Sequence, residues 1–225
     1  MPSPCDLCAA IDSTGCGGTL SQHLFPGQQH VVARTATAAA VPTIGAFVPG
    51  YLLVVPTTHT TSIGRLAQNE RRGVHELTEL LADRLADLYG MPVLGFEYGL
   101  NVPGARRIEH GHLHLLPTTA GAPLRQFLRW HLPLIEVASM EHLPTDSDRS
   151  YISVYEPCRP LTIYPVANEA SPRIRLREIV AQFDPRVSPR AWDWERNPFP
   201  KLIRATINDL TGSQAVQVLA RVGRR

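Results

Sequence analysis

Residues 35–64 contain no Asp, Glu, Lys or Arg, and this feature constrains the fold more than any other in the sequence. A segment of this length without charged side chains is normally buried. It is interrupted by Pro42, Gly45, Pro49, Gly50 and Pro56. A membrane-spanning helix needs about 20 mainly apolar residues in one run, and prolines and glycines at this spacing break such a run. The segment therefore predicts short buried strands joined by turns in a soluble protein.

The composition is that of an ordinary globular protein and excludes several classes of function. The chain has 225 residues, of which 44% are hydrophobic and 19% charged, enough for one large domain or two small ones. A formal net charge of +2 provides no electrostatic basis for binding nucleic acid. Residues 1–5 have neither the basic region nor the apolar run of an export signal. We therefore expect a cytoplasmic protein with no nucleic-acid or membrane partner.

A buried strand followed by an amphipathic helix is predicted from the spacing of apolar residues. Residues 51–55 form a continuous apolar run, which is typical of a buried strand. The helix is expected to be capped by Ser62 or Asn69 and to end at Tyr89, because Gly90 favours a left-handed stop. Its apolar stripe consists of Val74, Leu77, Leu81, Leu85 and Leu88. Such a stripe predicts packing of the helix against a sheet.

A β-hairpin is predicted immediately after this helix. Residues 93–98 and 108–116 are both strand-like, and only a short turn separates them. Two strands joined by so short a connection pair in antiparallel fashion. The second strand is expected to lie near the centre of the sheet.

The remaining segments give weaker signals. Strands are predicted at residues 29–35, 37–41, 152–155 and 161–166, and helices at residues 173–183 and 200–210. Pro, Asp and Ser cluster at residues 144–150 and indicate a loop. We divide the chain into a core at residues 1–118 and a C-terminal α/β extension at residues 119–225, which is expected to cover the sheet or to reach a partner.

Three histidines alternate along the second strand of the hairpin. Side chains two residues apart point to the same face of a strand, so His110, His112 and His114 are expected to lie side by side. Imidazoles in such a row can supply a nucleophile, a proton donor and a metal ligand near neutral pH. A half-buried strand that carries histidine by chance is the alternative, and the strict alternation makes it the weaker one.

The segment around these histidines resembles the signature of the histidine triad (HIT) superfamily, His-φ-His-φ-His-φ-φ, in which φ is apolar. An upstream block, Gly-Tyr-Leu-Leu-Val-Val-Pro-Thr-Thr-His at residues 50–59, resembles the Gly-His-x-Leu-Val-Ile-Pro-x-x-His block of that superfamily. Asn101 stands where an asparagine that contacts phosphate or ribose usually precedes the triad. The resemblance covers roughly residues 5–118 and implies an α+β fold, an antiparallel sheet with packed helices.

The resemblance implies an enzyme that acts on nucleotides or nucleotide conjugates. His112 would attack the α-phosphate to form a covalent nucleotidyl-histidine, and His114 would donate to the phosphoryl oxygens. Water would then release the nucleotide. Asn101 and Gly104, in the turn before the triad, are expected to contact substrate. The superfamily commonly forms homodimers, so a homodimer is expected as well.

The chain departs from the superfamily pattern at three places. The acid that usually binds the ribose hydroxyls has no counterpart, because Val-Pro-Thr occupies residues 41–43. Gly111 replaces an apolar residue, which loosens the strand or allows the backbone to approach a phosphate. Arg106 and Arg107 stand in place of a small Gly/Ser-rich loop, and either contact an additional phosphate or form a solvated turn.

A metal site is predicted at the N-terminus. Cys5 and Cys8 form a C-x-x-C pair, the spacing of two thiolates that share one tetrahedral zinc. A redox pair, or two thiols with no shared role, is the alternative interpretation of this spacing. The chain is similar to the zinc-bearing branch of the superfamily, which is related to galactose-1-phosphate uridylyltransferase. That resemblance implies His59 and His110 as the other ligands of a structural Zn²⁺. A local alternative completes the site with Cys16 and His23.

Three functions remain open at the level of sequence. The preferred function is a nucleotidyl hydrolase, because a third histidine rather than the glutamine of related transferases favours transfer to water. A nucleotidyltransferase or phosphorylase that acts on dinucleoside polyphosphates or nucleotide sugars is the nearest alternative. A zinc-stabilised nucleotide-binding protein without catalysis is the third, since the ribose acid is missing.

Overall fold

The computed structural model describes residues 5–12, 29–99, 110–146, 150–166 and 174–212. Within these residues an antiparallel sheet of eight strands runs in the order β1-β2-β3-β5-β4-β7-β8-β6. The strands are β1 Ala33–Arg34, β2 Ala38–Pro42, β3 Leu52–Pro56, β4 Val93–Gly99, β5 Leu113–Pro117, β6 Ile135–Val137, β7 Ser150–Tyr155 and β8 Leu161–Val166. The helices are α1 Asp6–Ala10, α2 Gln68–Tyr89, α3 Gly121–His131, α4 Leu176–Phe183 and α5 Pro200–Thr211. The fold is α+β.

Helices cover both faces of the sheet, and side chains alternate between the faces along each strand. On β4, for example, Leu94 and Phe96 lie in one core cluster with residues of α3, α4 and α5, which we call the triad face. Val93 lies in a second cluster with the apolar stripe of α2, which we call the α2 face. None of the described helices is long and apolar enough to cross a membrane.

The predicted helix is confirmed as α2, although the predicted caps are wrong. Leu77, Leu81 and Leu85 of its stripe are buried, and Gly90 ends it with a φ of 61°. The helix begins at Gln68, after Ala67, because the Glu70 carboxylate accepts a hydrogen bond from the Ala67 N–H at 3.0 Å. A side chain within the first turn therefore supplies the cap that was expected from Ser62 or Asn69.

The predicted hairpin is confirmed, and β5 lies between β3 and β4 near the centre of the sheet. His114 pairs with Leu53 on one side and with Phe96 on the other. The strand begins at Leu113, later than the predicted start. The residues that precede Leu113 are not part of the sheet, because the Gly111 N–H donates instead to the carbonyl oxygen of Thr60 at 2.6 Å.

Several predicted elements are present as the expected helix or strand, and other elements of the structure were not predicted. β7, β8, α4 and α5 lie close to the predicted ranges. The sequence reasoning missed α1, β6 and α3. The first turn of α3 is Gly121-Ala122-Pro123, which reads as a loop from sequence, although proline is tolerated there because the first N–H groups of a helix have no intrahelical partner.

The C-terminal part of the chain packs on the triad face. Leu124 of α3, Val180 of α4 and Ile203 of α5 are fully buried in the same cluster as Phe96. β7 pairs with β4, so the strands after residue 119 continue the sheet of the first part. The division at residues 118 and 119 stays a prediction of how the chain folds.

Candidate active site and metal centre

Helix α1 places two cysteines beside the triad. Cys5 precedes the helix and its sulfur accepts from the Cys8 N–H at 3.5 Å, which holds both thiols on the same side. Leu7 and Ile11 anchor the helix in a small apolar cluster with Leu53 of β3. Apolar burial of α1 therefore determines where the two sulfurs lie.

The structure brings together the four side chains that were predicted as metal ligands. The Cys8 sulfur lies 3.3 Å from Nδ1 of His59 and 3.4 Å from Nδ1 of His110, and the Cys5 sulfur lies 3.4 Å from Nδ1 of His110. All four donor atoms lie within 4.8 Å of one another. Two sulfurs and two imidazole nitrogens converging in this way can hold a metal ion.

The surroundings of His110 suit a metal ligand. The ring is fully buried, and its Nε2–H donates to the carbonyl oxygen of Pro56 at 3.1 Å, which leaves the lone pair on Nδ1. Burial and the neighbouring His59 lower the pKa of His110 to about 4, so the ring stays neutral. Burial and a hydrogen bond with Cys5 raise the pKa of the Cys8 thiol to about 11. A cation at the centre of the cluster would compensate the charge of these sulfurs when they ionise.

His112 has a defined tautomer. Its Nδ1 lies 2.7 Å from the carbonyl oxygen of His110. A carbonyl oxygen can only accept, so the proton is on Nδ1 and the lone pair of the neutral ring is on Nε2. The ring is half-buried. His110, one of the predicted metal ligands, thus orients His112 through its own backbone carbonyl.

His114 is held by three aromatic rings. Phe96 stacks on it with ring centroids 4.7 Å apart and an interplanar angle of 16°, and His112 and Tyr51 contact it edge-on at 5.0 and 5.7 Å. The Tyr51 hydroxyl lies 3.0 Å from Nδ1 of His114. Cross-strand pairing of His114 with Phe96 explains the stack, since directly opposed side chains share a face.

Gly111 lies where the backbone of another segment approaches closely. A Cβ at this position would lie 2.7 Å from Cα of Ser62, closer than two such atoms can approach. The described contact of Gly111 is thus with the protein's own backbone. Its predicted role in binding substrate stays a prediction.

Two residues of the site were missed by the sequence reasoning. Tyr51 stands where the superfamily block has His, and that replacement was the available signal. Arg177 of α4 lies over the Tyr51 ring, with Cζ 5.2 Å from the ring centroid, and no local pattern distinguishes it from the other arginines. Its guanidinium donates to the Thr43 hydroxyl at 3.2 Å and to the Gly45 carbonyl at 2.6 Å. The segment that lacks the expected ribose acid is therefore bound by a cation.

Some predicted residues lie outside the part of the chain that the structure describes. These residues are Asn101, Gly104, Arg106 and Arg107, and Cys16 and His23 of the alternative metal site. Their roles stay predictions.

Several solved structures match this chain at low sequence identity. A HIT family protein from Bacillus anthracis matches at 18% identity over 51% of this chain and 73% of its own, with a TM-score of 0.40. A hypothetical histidine triad nucleotide-binding protein from Sulfolobus tokodaii matches at 15% identity over 83% and 88%, with a TM-score of 0.34. Yeast Ap4A phosphorylase matches at 11% identity over 82% and 78%, with a TM-score of 0.40.

These structural neighbours are HIT family proteins and an Ap4A phosphorylase. Two of the three are named as HIT or histidine triad proteins, the family whose signature the sequence resembles. Each shares few residues with this chain, so its substrate does not transfer to this chain by similarity. No protein-family model and no curated protein sequence matches the chain.

Proposed function

We propose that the protein is a nucleotidyl hydrolase that acts at the α-phosphate of a nucleotide conjugate. Nε2 of His112 attacks the α-phosphorus, a P–N bond to the histidine forms, and the bond from phosphorus to the leaving group breaks, P–O in an anhydride or ester and P–N in a phosphoramidate. Water then attacks the same phosphorus, the P–N bond breaks, and the nucleoside monophosphate leaves. The substrate class is a phosphoanhydride, phosphoester or phosphoramidate of a nucleotide.

One observation carries the proposal, the 2.7 Å contact between Nδ1 of His112 and the His110 carbonyl oxygen. It places a neutral imidazole lone pair on Nε2, which is the form that a nucleophilic histidine requires. The same contact stabilises the intermediate, because the nucleotidylated ring is cationic and its Nδ1–H donates more strongly to the carbonyl.

His114 is suited to assist the transfer as a hydrogen-bond donor. Its ring is half-buried between Phe96 and Tyr51, and its centroid lies 5.0 Å from that of His112. A donor held beside the nucleophile stabilises the charge that develops on the phosphoryl oxygens. Its fixed position lowers the cost of reorganisation during the reaction.

We also propose that the metal held by Cys5, Cys8, His59 and His110 is Zn²⁺. Zinc–sulfur and zinc–nitrogen bonds of about 2.3 and 2.05 Å at a tetrahedral angle separate sulfur from nitrogen by about 3.6 Å. The sulfur–nitrogen distances of 3.3 and 3.4 Å in the structure are close to that value. Four protein ligands complete a closed, structural coordination sphere. The metal would therefore stabilise the position of His110, and through it His112.

The nucleophile is tested by comparing His112→Ala with His131→Ala, a control on the exposed side of α3. We expect His112→Ala to lose turnover of adenylylated amines, AMP esters and dinucleoside polyphosphates, and His131→Ala to retain it. Rapid quenching of the wild type should give a mass increase of one nucleotidyl group on the peptide that contains His112. Full activity of His112→Ala would show that the nucleophile is assigned wrongly.

The same experiment separates the alternatives. With inorganic phosphate present and an adenylylated amine or AMP ester as substrate, a phosphorylase transfers the nucleotidyl group to phosphate and gives a nucleoside diphosphate, whereas a hydrolase transfers it to water and gives the monophosphate. A non-catalytic nucleotide-binding protein gives neither product, although nucleotides raise its melting temperature. The homodimer implied by the resemblance is a further proposal. Light scattering of the protein as it elutes from a size-exclusion column gives its molar mass and tests this proposal.

A further inference from the structure

The hydroxyl of Tyr51 has one hydrogen-bond partner among the described residues, Nδ1 of His114 at 3.0 Å. The tyrosine is fully buried, so this hydroxyl cannot donate to bulk water. If Nδ1 of His114 carried a proton, it would donate to the phenol oxygen and the phenol hydrogen would lack an acceptor there. A buried donor without an acceptor is energetically unfavourable, because it has lost its hydrogen bond to water. The favoured arrangement is therefore donation from Tyr51 to an unprotonated Nδ1.

Arg177 supports the tyrosine from the C-terminal part of the chain. Its Cζ lies 5.2 Å from the Tyr51 ring centroid and 5.6 Å from that of Phe47, which itself contacts Tyr51 edge-on at 5.0 Å. Hydrogen bonds to Thr43 and Gly45 hold the guanidinium in place. A cation over the face of a phenol withdraws electron density from the ring and strengthens the O–H as a donor.

We propose that Tyr51 is a positioning residue that holds His114 as the tautomer protonated at Nε2, and that Arg177 holds Tyr51 in place for this purpose. Helix α4 thereby becomes part of the active-site apparatus. Only the predicted effect on kcat rests on the proposed function. The tautomer of His114 is a property of the protein without substrate and does not depend on it.

The protonation behaviour of Tyr51 agrees with donation. Burial raises the pKa of Tyr51 to about 12, and the positive charge of Arg177 opposes that rise. The phenol therefore stays protonated throughout the neutral range. In the tautomer that results, the N–H of His114 is on Nε2, the nitrogen remote from the Tyr51 hydroxyl. The ring then supplies a donor at a defined atom without changing its charge.

The first experiment reads the tautomer directly in the substrate-free, metal-loaded full chain. Nitrogen NMR of protein labelled in the histidine rings, with His114 assigned from the spectrum of His114→Gln, should give an unprotonated Nδ1 and a protonated Nε2. Tyr51→Phe should mix the two tautomers or reverse them. Tyr164→Phe is the matched control, because this fully buried tyrosine lies in the same cluster and its hydroxyl contacts the Arg125 carbonyl instead.

This measurement decides the proposal whether or not the protein turns over a nucleotide. A protonated Nδ1 in the wild type overturns it, and so does a tautomer that is unchanged in Tyr51→Phe. If the tautomer result is as expected but no nucleotide conjugate is turned over, the positioning role stands and the proposed hydrolase does not.

The second experiment measures the kinetic consequence. Tyr51→Phe should lower kcat about tenfold, the effect of one net hydrogen bond, with KM nearly unchanged. Tyr51→His should restore most of kcat, because an imidazole N–H at this position can also donate to Nδ1. Equal loss of kcat in the Phe and His variants would indicate a purely structural role for the ring and would contradict the proposal.

The contribution of Arg177 is tested by a double-mutant cycle with Tyr51. If Arg177 acts through the tyrosine, Arg177→Gln should lower kcat in the wild type and have little further effect in Tyr51→Phe. Additive losses would mean that Arg177 acts independently, which would overturn this part of the proposal. Arg177→Lys provides a second cycle if the Gln variant unfolds, since it keeps the charge but not the forked guanidinium.

Discussion

At the scale of single residues, two backbone carbonyls orient the histidines. The carbonyl oxygen of Pro56 accepts from Nε2 of His110, so the lone pair of that ring is on Nδ1 and faces the cysteines. The carbonyl oxygen of His110 accepts from Nδ1 of His112, so the lone pair of that ring is on Nε2. A histidine that offers one nitrogen to a metal or a phosphorus needs an acceptor for the other. The proposed metal ligand His110 and the proposed nucleophile His112 are thus close in the chain and joined through one carbonyl group.

The metal centre predicts a loss of stability when one thiol is removed. Cys8→Ser should lose bound metal and about 3 kcal/mol or more of unfolding free energy when free metal exceeds the dissociation constant a hundredfold. Elemental analysis and urea unfolding measure the two effects. Cys158→Ser, a change at an exposed thiol, is the control. Less than about half a zinc per wild-type chain would contradict the assignment, given how tightly structural sites hold the metal.

The close approach of Gly111 to Ser62 predicts that adding a side chain at position 111 lowers the stability of the protein. Gly111→Ala would place a Cβ 2.7 Å from Cα of Ser62, so the two segments must separate. We expect a loss of about 1–3 kcal/mol, as for overpacking in a core. Gly212→Ala is the control, because its Cβ would come no closer than 3.3 Å to the Asn208 carbonyl oxygen. If both variants were equally stable in urea unfolding, the close approach of Gly111 to Ser62 would not contribute to the stability of the fold.

At the scale of elements, an ion pair with a buried carboxylate attaches the end of α4 to the end of β5. Asp184 follows α4 and is buried, and its carboxylate accepts from Thr118 at 2.7 Å and from Arg186 at 2.6 Å. Arg186 also donates to the carbonyl oxygen of Pro117, the last residue of β5. The strand that carries His114 is therefore attached at its far end to the same helix that carries Arg177.

This ion pair predicts a dependence of stability on pH. Burial acts to raise the pKa of Asp184, but hydrogen bonds from Arg186 and Thr118 outweigh it and lower that pKa below its ordinary value. The stability that this carboxylate contributes is complete above the ordinary carboxylate pKa and is lost as the pH falls through the lowered value.

Asp184→Asn should accordingly cost about 1–3 kcal/mol at neutral pH, the usual effect of disturbing a buried hydrogen-bonded group. The difference from wild type should shrink as the medium becomes acidic. Asp193→Asn is the control, because its partner Arg196 is 85% exposed and such pairs contribute little. Urea unfolding at several pH values measures the effect, and a difference that does not change with pH would contradict the assignment.

At the scale of the whole molecule, the two parts of the chain share one sheet and the core cluster on its triad face. Ile203 of α5 is fully buried in the cluster that contains Tyr51 and Phe96, and the Gly50 N–H donates to the Thr206 hydroxyl at 2.8 Å. Contacts that join distant parts of a chain in this way favour cooperative unfolding.

We therefore expect one unfolding transition. All three tryptophans lie after residue 119, so their fluorescence reports on the C-terminal part, whereas far-ultraviolet circular dichroism reports on the whole chain. The two curves should coincide, and Ile203→Ala should shift both by about 2–5 kcal/mol. Lys201→Ala, at an exposed position, should shift neither. Separate transitions would show that residues 119–225 fold as an independent unit.

Local patterns predicted the elements whose side chains alternate or repeat strictly. The stripe of α2, the strand β3 and the β4–β5 hairpin could be identified because each is buried on a face that its own sequence defines. α3 and β6 could not, since the first begins with turn-like residues and the second lies at the sheet edge with Ile135 exposed. The capping residues of α2 were predicted wrongly because the side chain that caps the helix, Glu70, lies within its first turn.

By itself the sequence determined which residue types were available for chemistry, namely three alternating histidines, a pair of cysteines and a distant histidine. Only the tertiary structure decided which atoms face one another. The tautomer of His112 depends on a carbonyl two residues away, and the hydrogen bond between Tyr51 and His114 depends on strand pairing. The contact between Arg177 and Tyr51 depends on the packing of a helix more than a hundred residues later. Such contacts leave no periodic trace in the sequence, because they join residues whose separation along the chain is set by the fold.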